Sequence, residues 1–350
     1  MTGIELAVER AIHHALVPIL ALRDRVPKRR RRAIDLGARA GFVVALVLFA
    51  IYRPVPAADA HAYWVVDLAN PYTRPISTAD AFTYTPPAAI AFSILGHLPW
   101  PVFQAGWTLL IGGALLWLAG PWSILFLALL PVSSDLYLGN IHILLAAAIV
   151  AGFRRPGWWA FVLLTKPSVG LGLLWFLFRR EWRQLGIAVG VTAALAIVAA
   201  VLQPTLWPAW MGYILDTGIS PTIGPLASWI PIPILVRFPA AILLVGWGAR
   251  TNRAWTVPIA AMLALPVLWT VGLSMILGSI AILRRPGLIT GVPAPSAAAD
   301  PTAGTVRTAG TVPTAGTVPT AGTNRTPAPR TPAFDAPDDR SVEVASDQPV

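Results

Sequence analysis

A hexapeptide with unusual chemistry, Asp59-Ala60-His61-Ala62-Tyr63-Trp64, stands between two strongly apolar parts of the chain. It places a carboxylate, an imidazole and two aromatic rings within six residues. A carboxylate within hydrogen-bond reach of a hydroxyl group can remove its proton, provided that the pKa of the acid suits the task. Partial burial at the edge of a bilayer would raise that pKa. Asp59 is therefore our candidate general base, although an acid at this position could also simply cap a helix.

The segment around this hexapeptide, residues 54–85, is polar and rich in aromatic residues. It contains two competing acids, Asp67 and Asp80. Asp67 follows Tyr63 by four residues, about one helical turn, and could serve only to pair with a neighbour. A membrane protein has no solubility reason to keep such residues beside its bundle, so we expect an active site in this loop.

A lysine lies in the middle of an apolar stretch, residues 157–178, that has arginine pairs at both ends, Arg154-Arg155 and Arg179-Arg180. Basic clusters mark the cytoplasmic ends of spans, and a single crossing cannot place both ends on one side. Two half-length helices that turn at Lys166-Pro167 can, because proline ends a helix and irregular backbone is tolerated when it is buried among helices. One long, tilted span that violates the charge rule is the alternative.

The stretch 255–283 repeats this pattern. Arg253 precedes it, Arg284-Arg285 follows it, and Pro266 lies in its middle. Hairpins in both stretches would bring Lys166 and Trp269 towards the outer face of the membrane.

The composition indicates a protein whose solvent is the bilayer. Hydrophobic residues make up 56% of the 350, charged residues only 12%, and the mean hydropathy is +0.66, whereas a soluble domain carries roughly 25% charged residues. Much of the net charge of +10 lies in short basic clusters beside apolar stretches, which favours cytoplasmic span ends over a nucleic-acid site. Without cysteine the chain can form neither a disulfide framework nor a thiolate metal site. We therefore predict an all-α, polytopic transmembrane helical bundle.

Two terminal regions are predicted to lie in the cytoplasm. Residues 1–36 combine a one-sided apolar pattern over 4–22 with a basic run, which favours a helix on the membrane surface; a soluble helix packed on another element is the alternative. Residues 286–350, rich in Pro, Thr and Ala, repeat Thr-Ala-Gly-Thr-Val-Pro and lack apolar periodicity. They are predicted to form a disordered tail.

Residues 37–285 are predicted to form the transmembrane domain, and the basic run before its first span, 37–53, places the loop 54–85 outside the cytoplasm. Residues 203–230, rich in Pro, Gly and Trp, are predicted to form a second outer loop. The other apolar stretches are 86–98, 101–119, 121–132, 137–153, 157–178, 185–202, 231–249 and 255–283.

Several short motifs follow one another between about residues 40 and 283. They are the hexapeptide at Asp59, with its D-x-x-x-Y pattern, then Asn70-Pro71-Tyr72, Phe82-Thr83-Tyr84-Thr85-Pro86-Pro87, Leu98-Pro99 with Trp107, Gly139-Asn140-Ile141-His142, Thr165-Lys166-Pro167 with the basic cluster Arg179–Arg183, and Leu265-Pro266-Val267-Leu268-Trp269. In this order they resemble the motifs of glycosyltransferase family 87, which comprises polyprenol-phosphate-mannose-dependent α-mannosyltransferases of the GT-C superfamily. The chain departs from the family pattern at Asn140, where a glutamine is usual, at the two missing serines around Pro266, and in having no histidine after Trp269.

The resemblance implies that Asp59 is the general base of a hexosyltransferase. The donor would be a hexose, with mannose as the expected sugar, on a polyprenyl phosphate, and the acceptor a glycolipid or cell-envelope glycan on the outer face. The leaving group is already a stable anion, so no metal or other cofactor is required. The protein must deprotonate the acceptor hydroxyl and hold the phosphate charge with cations.

Lys166 is the leading candidate for the cation, because ionisable residues inside membranes are functional by default; a lysine that snorkels to the interface is the alternative. Arg74 and Arg237 are further candidates. The resemblance and the positions near Asp59 together give the expected substrate-binding set, which is His61, Tyr63, Tyr84, Asn140, Lys166 and Trp269. Trp64, Tyr72 and Trp229 could stack on sugar rings as well, although interfacial aromatic belts also explain such residues.

Two other function classes remain open from the sequence. A transporter or flippase of a lipid-linked substrate would also use broken helices, although we see no inverted repeat that would favour it. A scaffold that binds partners through its Thr/Pro-rich tail is the third possibility. We predict the enzyme, as a multi-pass protein of the cell membrane with an extracytoplasmic active site. Its partners are the lipid-linked donor, the glycolipid acceptor and the bilayer, with no nucleic acid.

Overall fold

The computed structural model of the protein describes residues 27–53, 57–76, 78–217, 230–285 and 287, all within the first of the chain's two units, Met1–Ser296. These residues form α-helices and short 3₁₀ helices, and none of them lies in a β-strand. The α-helices are α1 (Lys28–Tyr52), α2 (Ala58–Trp64), α3 (Pro86–Leu95), α4 (Trp100–Ala119), α5 (Ser123–Phe126), α6 (Leu130–Leu138), α7 (His142–Gly152), α8 (Trp159–Thr165), α9 (Leu174–Phe178), α10 (Trp182–Leu202), α11 (Leu206–Thr217), α12 (Ile234–Thr251), α13 (Thr256–Leu263) and α14 (Ile276–Arg284). The 3₁₀ helices are Gly120–Trp122, Pro156–Trp158, Pro167–Leu173 and Thr270–Met275.

Four helices in the described residues are long and apolar enough to cross a bilayer. They are α1, α10, α12 and the helix Trp100–Phe126, in which a 3₁₀ turn joins α4 to α5. Within α10 only Ala188 and Ala199 are buried, and apolar side chains such as Val201, 76% exposed, point away from the protein. A helix that is apolar all round suits lipid on its outer side. The predicted all-α, polytopic membrane bundle is confirmed.

The first predicted hairpin is present. Helix α8 ends beside Lys166-Pro167, and the following 3₁₀ helix and α9 run back along it. Gly170 lies so close to Leu163 that a Cβ atom would overlap that side chain, and the rings of Trp159 and Phe176 lie 6.2 Å apart. Each of these contacts joins a residue before Lys166-Pro167 to a residue after it. The chain therefore reverses its direction at Lys166-Pro167.

The second predicted hairpin is present as well, with α13 as its first arm and α14 as its second. The Ser279 hydroxyl donates to the carbonyl of Trp255 at 2.6 Å, and Gly278 packs against Pro258. The turn around Pro266 is held by Arg237 on α12, whose guanidinium donates to the carbonyls of residues 263, 265 and 266 at 2.8, 2.6 and 2.9 Å.

Between the hairpins lies a sharply bent pair of helices, α6 and α7, whose axes differ by 103°. The bend occurs at Gly139, which has a φ of +73° in the left-handed region that favours glycine. Its amide donates to the carbonyl of Asp135 and closes α6. Helix α7 is buried on nearly every side, which fits a central position in the bundle.

The structure adds detail to two predicted segments. The predicted outer loop 203–230 contains helix α11, whose apolar and aromatic residues recur at helical spacing from Leu206 to Ile214; the Pro and Gly content of the whole segment obscured this pattern. Helix α1 begins at Lys28, so the helix that contains the predicted first span also includes the basic run before residue 37. The predicted surface helix 4–22 and the tail from 286, apart from Gly287, lie outside the described residues.

Candidate active site

Asp59 lies on α2 and receives a hydrogen bond from the side chain of Asn140, with 2.6 Å between Nδ2 and Oδ2. The side-chain oxygen of Asn140 accepts the amide of Ile141 at 2.7 Å. This second bond fixes the orientation of the Asn140 amide, so that its NH₂ group is the part that faces Asp59.

Gly139 makes this approach possible. A Cβ at this position would lie 2.7 Å from the Cβ of Ala60 and 3.1 Å from that of Ala57, so no larger residue fits between α2 and the bend. The carbonyl of Gly139 accepts the indole N–H of Trp107 at 2.7 Å. The sequence motif Gly139-Asn140 therefore has a physical reason: the glycine admits α2, and the asparagine then reaches its carboxylate.

The environment of Asp59 makes it a stronger base than an ordinary aspartate. Burial raises the pKa of Asp59 above its usual value, and the negative charge of Asp135 adds to the rise. The hydrogen bond from Asn140 and the positive charge of Lys166 act in the opposite direction, but burial is the larger effect. A raised pKa is the property that general-base catalysis needs.

Lys166, at the turn of the first hairpin, forms a hydrogen bond with His142, with 2.9 Å between Nζ and Nε2. The other ring nitrogen of His142 faces Asp135, with 3.3 Å between Nδ1 and Oδ1. His142 and Asp135 are 1% and 0% exposed. Lys166, which is partly buried, thus forms with the buried residues His142 and Asp135 a polar chain, here called the Lys–His–Asp chain, that joins the first hairpin to α7 and α6.

The far end of this chain is rigidly held. The other carboxylate oxygen of Asp135 accepts the backbone amide of Ile143 at 2.8 Å and the hydroxyl of Ser274 at 3.0 Å. Ser274 belongs to the second hairpin, so both hairpins meet α6 and α7 at one polar cluster. Buried charged groups of this kind are stable only when they are paired and hydrogen-bonded.

The aromatic candidates form the wall of this cluster. The hydroxyl groups of Tyr63 and Tyr84 lie 2.9 Å apart, and both residues are buried. The ammonium of Lys166 lies 6.0 Å from the centroid of the Tyr84 ring, within the range of a cation–π interaction. The two tyrosines therefore line the region between α2 and the first hairpin.

His61 lies in a different group. Its Nδ1 is 2.6 Å from Oδ1 of Asp80, and Arg74 donates to Oδ2 of Asp80 at 3.2 Å. The imidazole also packs at 5.0 Å against the ring of Trp100. His61, Asp80 and Arg74 therefore tie the outer loop to α2 and to α4, whereas Asp59 faces the bend at Gly139.

Two further candidates make no contact with Asp59 among the described residues. Trp269 is half-buried at the end of the second hairpin's turn, and among the described residues no hydrogen bond or ring contact joins it to Asp59 or Lys166. The guanidinium of Arg237 is occupied with the backbone of that same turn and with the carbonyl of Ile232 at 2.7 Å. Trp229 lies outside the described residues.

Helix α11 covers the outer loop. The indole of Trp210 donates to the carbonyl of Thr83 at 3.2 Å, and the hydroxyl of Tyr213 donates to that of Arg74 at 3.0 Å. The ring of Tyr213 stacks at 5.7 Å on Tyr72, whose hydroxyl donates to the carbonyl of Tyr84 at 2.9 Å. Helix α11 thus holds the loop that precedes α3 on one side, and on the other side Tyr84 of this loop faces the polar cluster around Lys166.

An apolar groove of about 780 Å³ lies between α3, α8 and α10. Its lining from the first hairpin runs from Trp158, just before α8, to Thr165, the residue that precedes Lys166 in the chain. The hydroxyl of Thr85 bonds to the carbonyl of Leu164 and fixes the start of α3 to the hairpin at this end. In the described residues no group of three or more His, Cys, Asp or Glu side chains could hold a metal ion.

Asp135 and His142 were not among the residues predicted from the sequence. Asp135 falls between two predicted apolar stretches, where an acid inside a membrane protein is itself a signal of function. His142 belongs to a motif that we identified, but no sequence pattern joins it to Lys166, 24 residues away. The bend that turns α7 towards the hairpin became visible only in the structure.

Comparison with known proteins gives one match. The model of the family described as Glycosyltransferase family 87 matches residues 82–281, which are 200 of the 350 residues. The matched part contains Asn140, Lys166, the first hairpin and the second hairpin up to the last three residues of α14, and Asp59 precedes it. No curated protein and no solved structure matches the chain.

Proposed function

The chain belongs to glycosyltransferase family 87, and from this premise we propose that it transfers a hexose, with mannose as the expected sugar, from a polyprenyl phosphate to a glycolipid or cell-envelope glycan. Family membership and the membrane bundle establish glycosyl transfer in a membrane. The donor, the sugar, the acceptor and the roles of individual residues are our proposal.

The observation that supports this mechanism best is the placement of Asp59. One carboxylate oxygen, Oδ2, is held by Asn140, and in the described part of the chain Oδ1 receives no hydrogen bond. In our proposal Oδ1 takes the proton of the acceptor hydroxyl. The acceptor oxygen then bonds to the anomeric carbon as the bond from that carbon to the phosphate oxygen breaks, and polyprenyl phosphate leaves with the electron pair.

Lys166 is the cation that we assign to the phosphate. Its charge interacts with that of Asp59, so a sugar between the two would have its leaving group at the ammonium and its acceptor at the carboxylate. Charge that develops on a leaving phosphate is stabilised by such a fixed donor. The apolar groove between α3, α8 and α10, whose lining reaches Thr165, offers an apolar surface for the polyprenyl chain.

Wild-type protein in lipid nanodiscs should transfer labelled mannose from polyprenyl-phosphate-mannose to an extracted glycolipid acceptor. Asp59→Asn keeps the size of the side chain but removes the base, so we expect transfer to fall by about 10²–10⁴-fold. Asp67→Asn, an exposed acid of the same outer loop, is the matched control and should transfer at the wild-type rate.

Full activity of Asp59→Asn would remove this residue from the mechanism. Activity of the wild type with another lipid-linked hexose, but not with mannose, would correct the sugar and keep the mechanism. We further propose that the protein resides in the cell membrane with the site on the extracytoplasmic face. Membership of a glycosyltransferase family gives no support to the alternative of a transporter without chemistry.

A further inference from the structure

We propose that His142 and Asp135 are positioning residues that hold the ammonium of Lys166 in place for the phosphate of the lipid donor. The inference rests on the proposed function, since it assumes that Lys166 binds that phosphate. It concerns two buried residues of α6 and α7 that the proposed mechanism leaves unused.

The direction of the hydrogen bonds follows from the chemistry of the groups. An ammonium has three N–H bonds and no acceptor, so at 2.9 Å the Nε2 of His142 must accept from Lys166. A neutral imidazole that accepts at Nε2 carries its hydrogen on Nδ1, and Nδ1–H then donates to Asp135. Asp135 therefore selects the tautomer of His142 that can accept from Lys166.

The carboxylate that selects this tautomer cannot easily rotate. Its second oxygen is held by the amide of Ile143 and by the hydroxyl of Ser274. The position of the imidazole is thereby fixed by the backbone of α7 and by the second hairpin. A side chain with four rotatable bonds ends at a fixed acceptor, which reduces the entropy that it would lose when a ligand binds.

The geometry also leaves donors for the ligand. In the described residues the ammonium of Lys166 makes one hydrogen bond, to His142, so two of its N–H bonds are available for phosphate oxygens. The neutral imidazole lies between the Asp135 carboxylate and the Lys166 ammonium. The two opposite charges therefore stabilise each other, although the carboxylate does not contact the ammonium directly. A direct ion pair would compete with the phosphate, whereas a neutral acceptor competes much less.

The test measures binding of polyprenyl phosphate to the full-length protein in nanodiscs, with polyprenol of the same chain length as the matched neutral ligand. His142→Leu removes the acceptor, and we expect affinity for polyprenyl phosphate to fall about 10-fold, from the loss of one hydrogen bond to a charged group. His142→Gln places a carbonyl oxygen where Nε2 was and should stay within about threefold of wild type. Affinity for polyprenol, which has no phosphate, should be the same in all these variants.

Lys166→Ala distinguishes failure of this inference from failure of the proposed function. We expect it to weaken polyprenyl phosphate binding at least as much as His142→Leu, and the double variant to be no weaker than Lys166→Ala alone, because His142 acts through the lysine. If Lys166→Ala binds polyprenyl phosphate as the wild type does, the proposed phosphate role of Lys166 is wrong. If Lys166→Ala binds polyprenyl phosphate weakly and His142→Leu binds it as the wild type does, only the positioning role is overturned.

An equal loss of affinity for polyprenol and for polyprenyl phosphate in His142→Leu would also overturn the positioning role, since that result indicates structural damage.

Discussion

The chemistry of the site depends on how one carboxylate is balanced between burial and its partners. Burial raises the pKa of Asp59, and the hydrogen bond from Asn140 lowers it in part. In the proposed mechanism, burial increases the proton affinity of this general base, and the hydrogen bond from Asn140 keeps part of the carboxyl group ionised so that it can accept a proton. In the proposed mechanism, Asn140 therefore both lowers the pKa of Asp59 in part and fixes the orientation of its carboxylate.

This balance predicts the direction of a change in the pH profile. A general base works only when it has lost its proton, so transfer should decline as pH falls through the pKa of Asp59, above the usual range of a carboxyl group. Asn140→Ala removes a hydrogen bond that lowers this pKa. The acidic limb of the kcat/KM profile should therefore move to higher pH, as measured with labelled donor over a pH series.

Asn70→Ala is the control for this experiment, because Asn70 is an exposed asparagine of the outer loop. Its acidic limb should coincide with that of the wild type. An Asn140→Ala profile whose limb stays in place, or moves to lower pH, would contradict the assigned role of the hydrogen bond.

The residue types of the site were more predictable than their partners. Asp59 became a candidate because it is an acid among aromatic residues beside a span, and Lys166 because a lysine is costly in an apolar stretch. The pairs Asn140–Asp59 and His142–Lys166 join residues 81 and 24 positions apart. Such pairs depend on the bend at Gly139 and on the first hairpin. Neither the periodicity of apolar residues nor a short sequence motif predicts them.

At the scale of elements, the site depends on how closely α2 approaches the bend between α6 and α7. Gly139 permits this approach in two ways, through its left-handed backbone and through the absence of a side chain against Ala60. Only glycine combines an easily adopted left-handed backbone with the absence of a Cβ atom, so no other residue fits this position.

Gly139→Ala should therefore damage both stability and activity. The left-handed backbone and the overlap with Ala60 together are expected to cost about 2–5 kcal/mol, which thermal unfolding in detergent would detect, and displacement of α2 should abolish most sugar transfer. Gly113→Ala is the matched control. Gly113 lies inside α4 with open space where a Cβ would stand, so the same change there should raise stability slightly, by about 0.5–1 kcal/mol. Equal stability of the two variants would contradict the packing argument.

The helical elements were predictable where the positions of basic residues and of a proline indicated the same turn. Both hairpins followed from arginines at the two ends of an apolar stretch with a proline between them. Helix α11 was missed because Pro208 and Gly212 suggested a loop, although Pro208 lies in the first turn, where a helix tolerates it. The sharp bend after α6 was also missed, since its signal is a single glycine.

At the scale of the whole molecule, the fold brings polar groups from five separate helical elements to one point. Asp59 comes from α2, Asp135 from α6, His142 from α7, Lys166 from the first hairpin and Ser274 from the second. Each hairpin places its turn, rather than a continuous helix, beside the site. Backbone that is irregular inside a membrane is tolerated only when other parts of the protein satisfy it, and Arg237 does this for the second turn.

The hairpins also predict which segments share a side of the membrane, and this gives a test that is independent of catalysis. Because the chain contains no cysteine, single cysteines report their own position without background. Arg154→Cys and Arg183→Cys, both at exposed positions on either side of the first hairpin, should react with membrane-impermeant maleimide only from the cytoplasmic face. Pro167→Cys, at the exposed turn, should react only from the other face.

A single crossing would put residues 154 and 183 on opposite sides, so the two flanking positions alone decide between the topologies. If they label from different faces, the re-entrant hairpin does not form in the membrane, and Lys166 loses the position from which we expect it to meet the donor's phosphate.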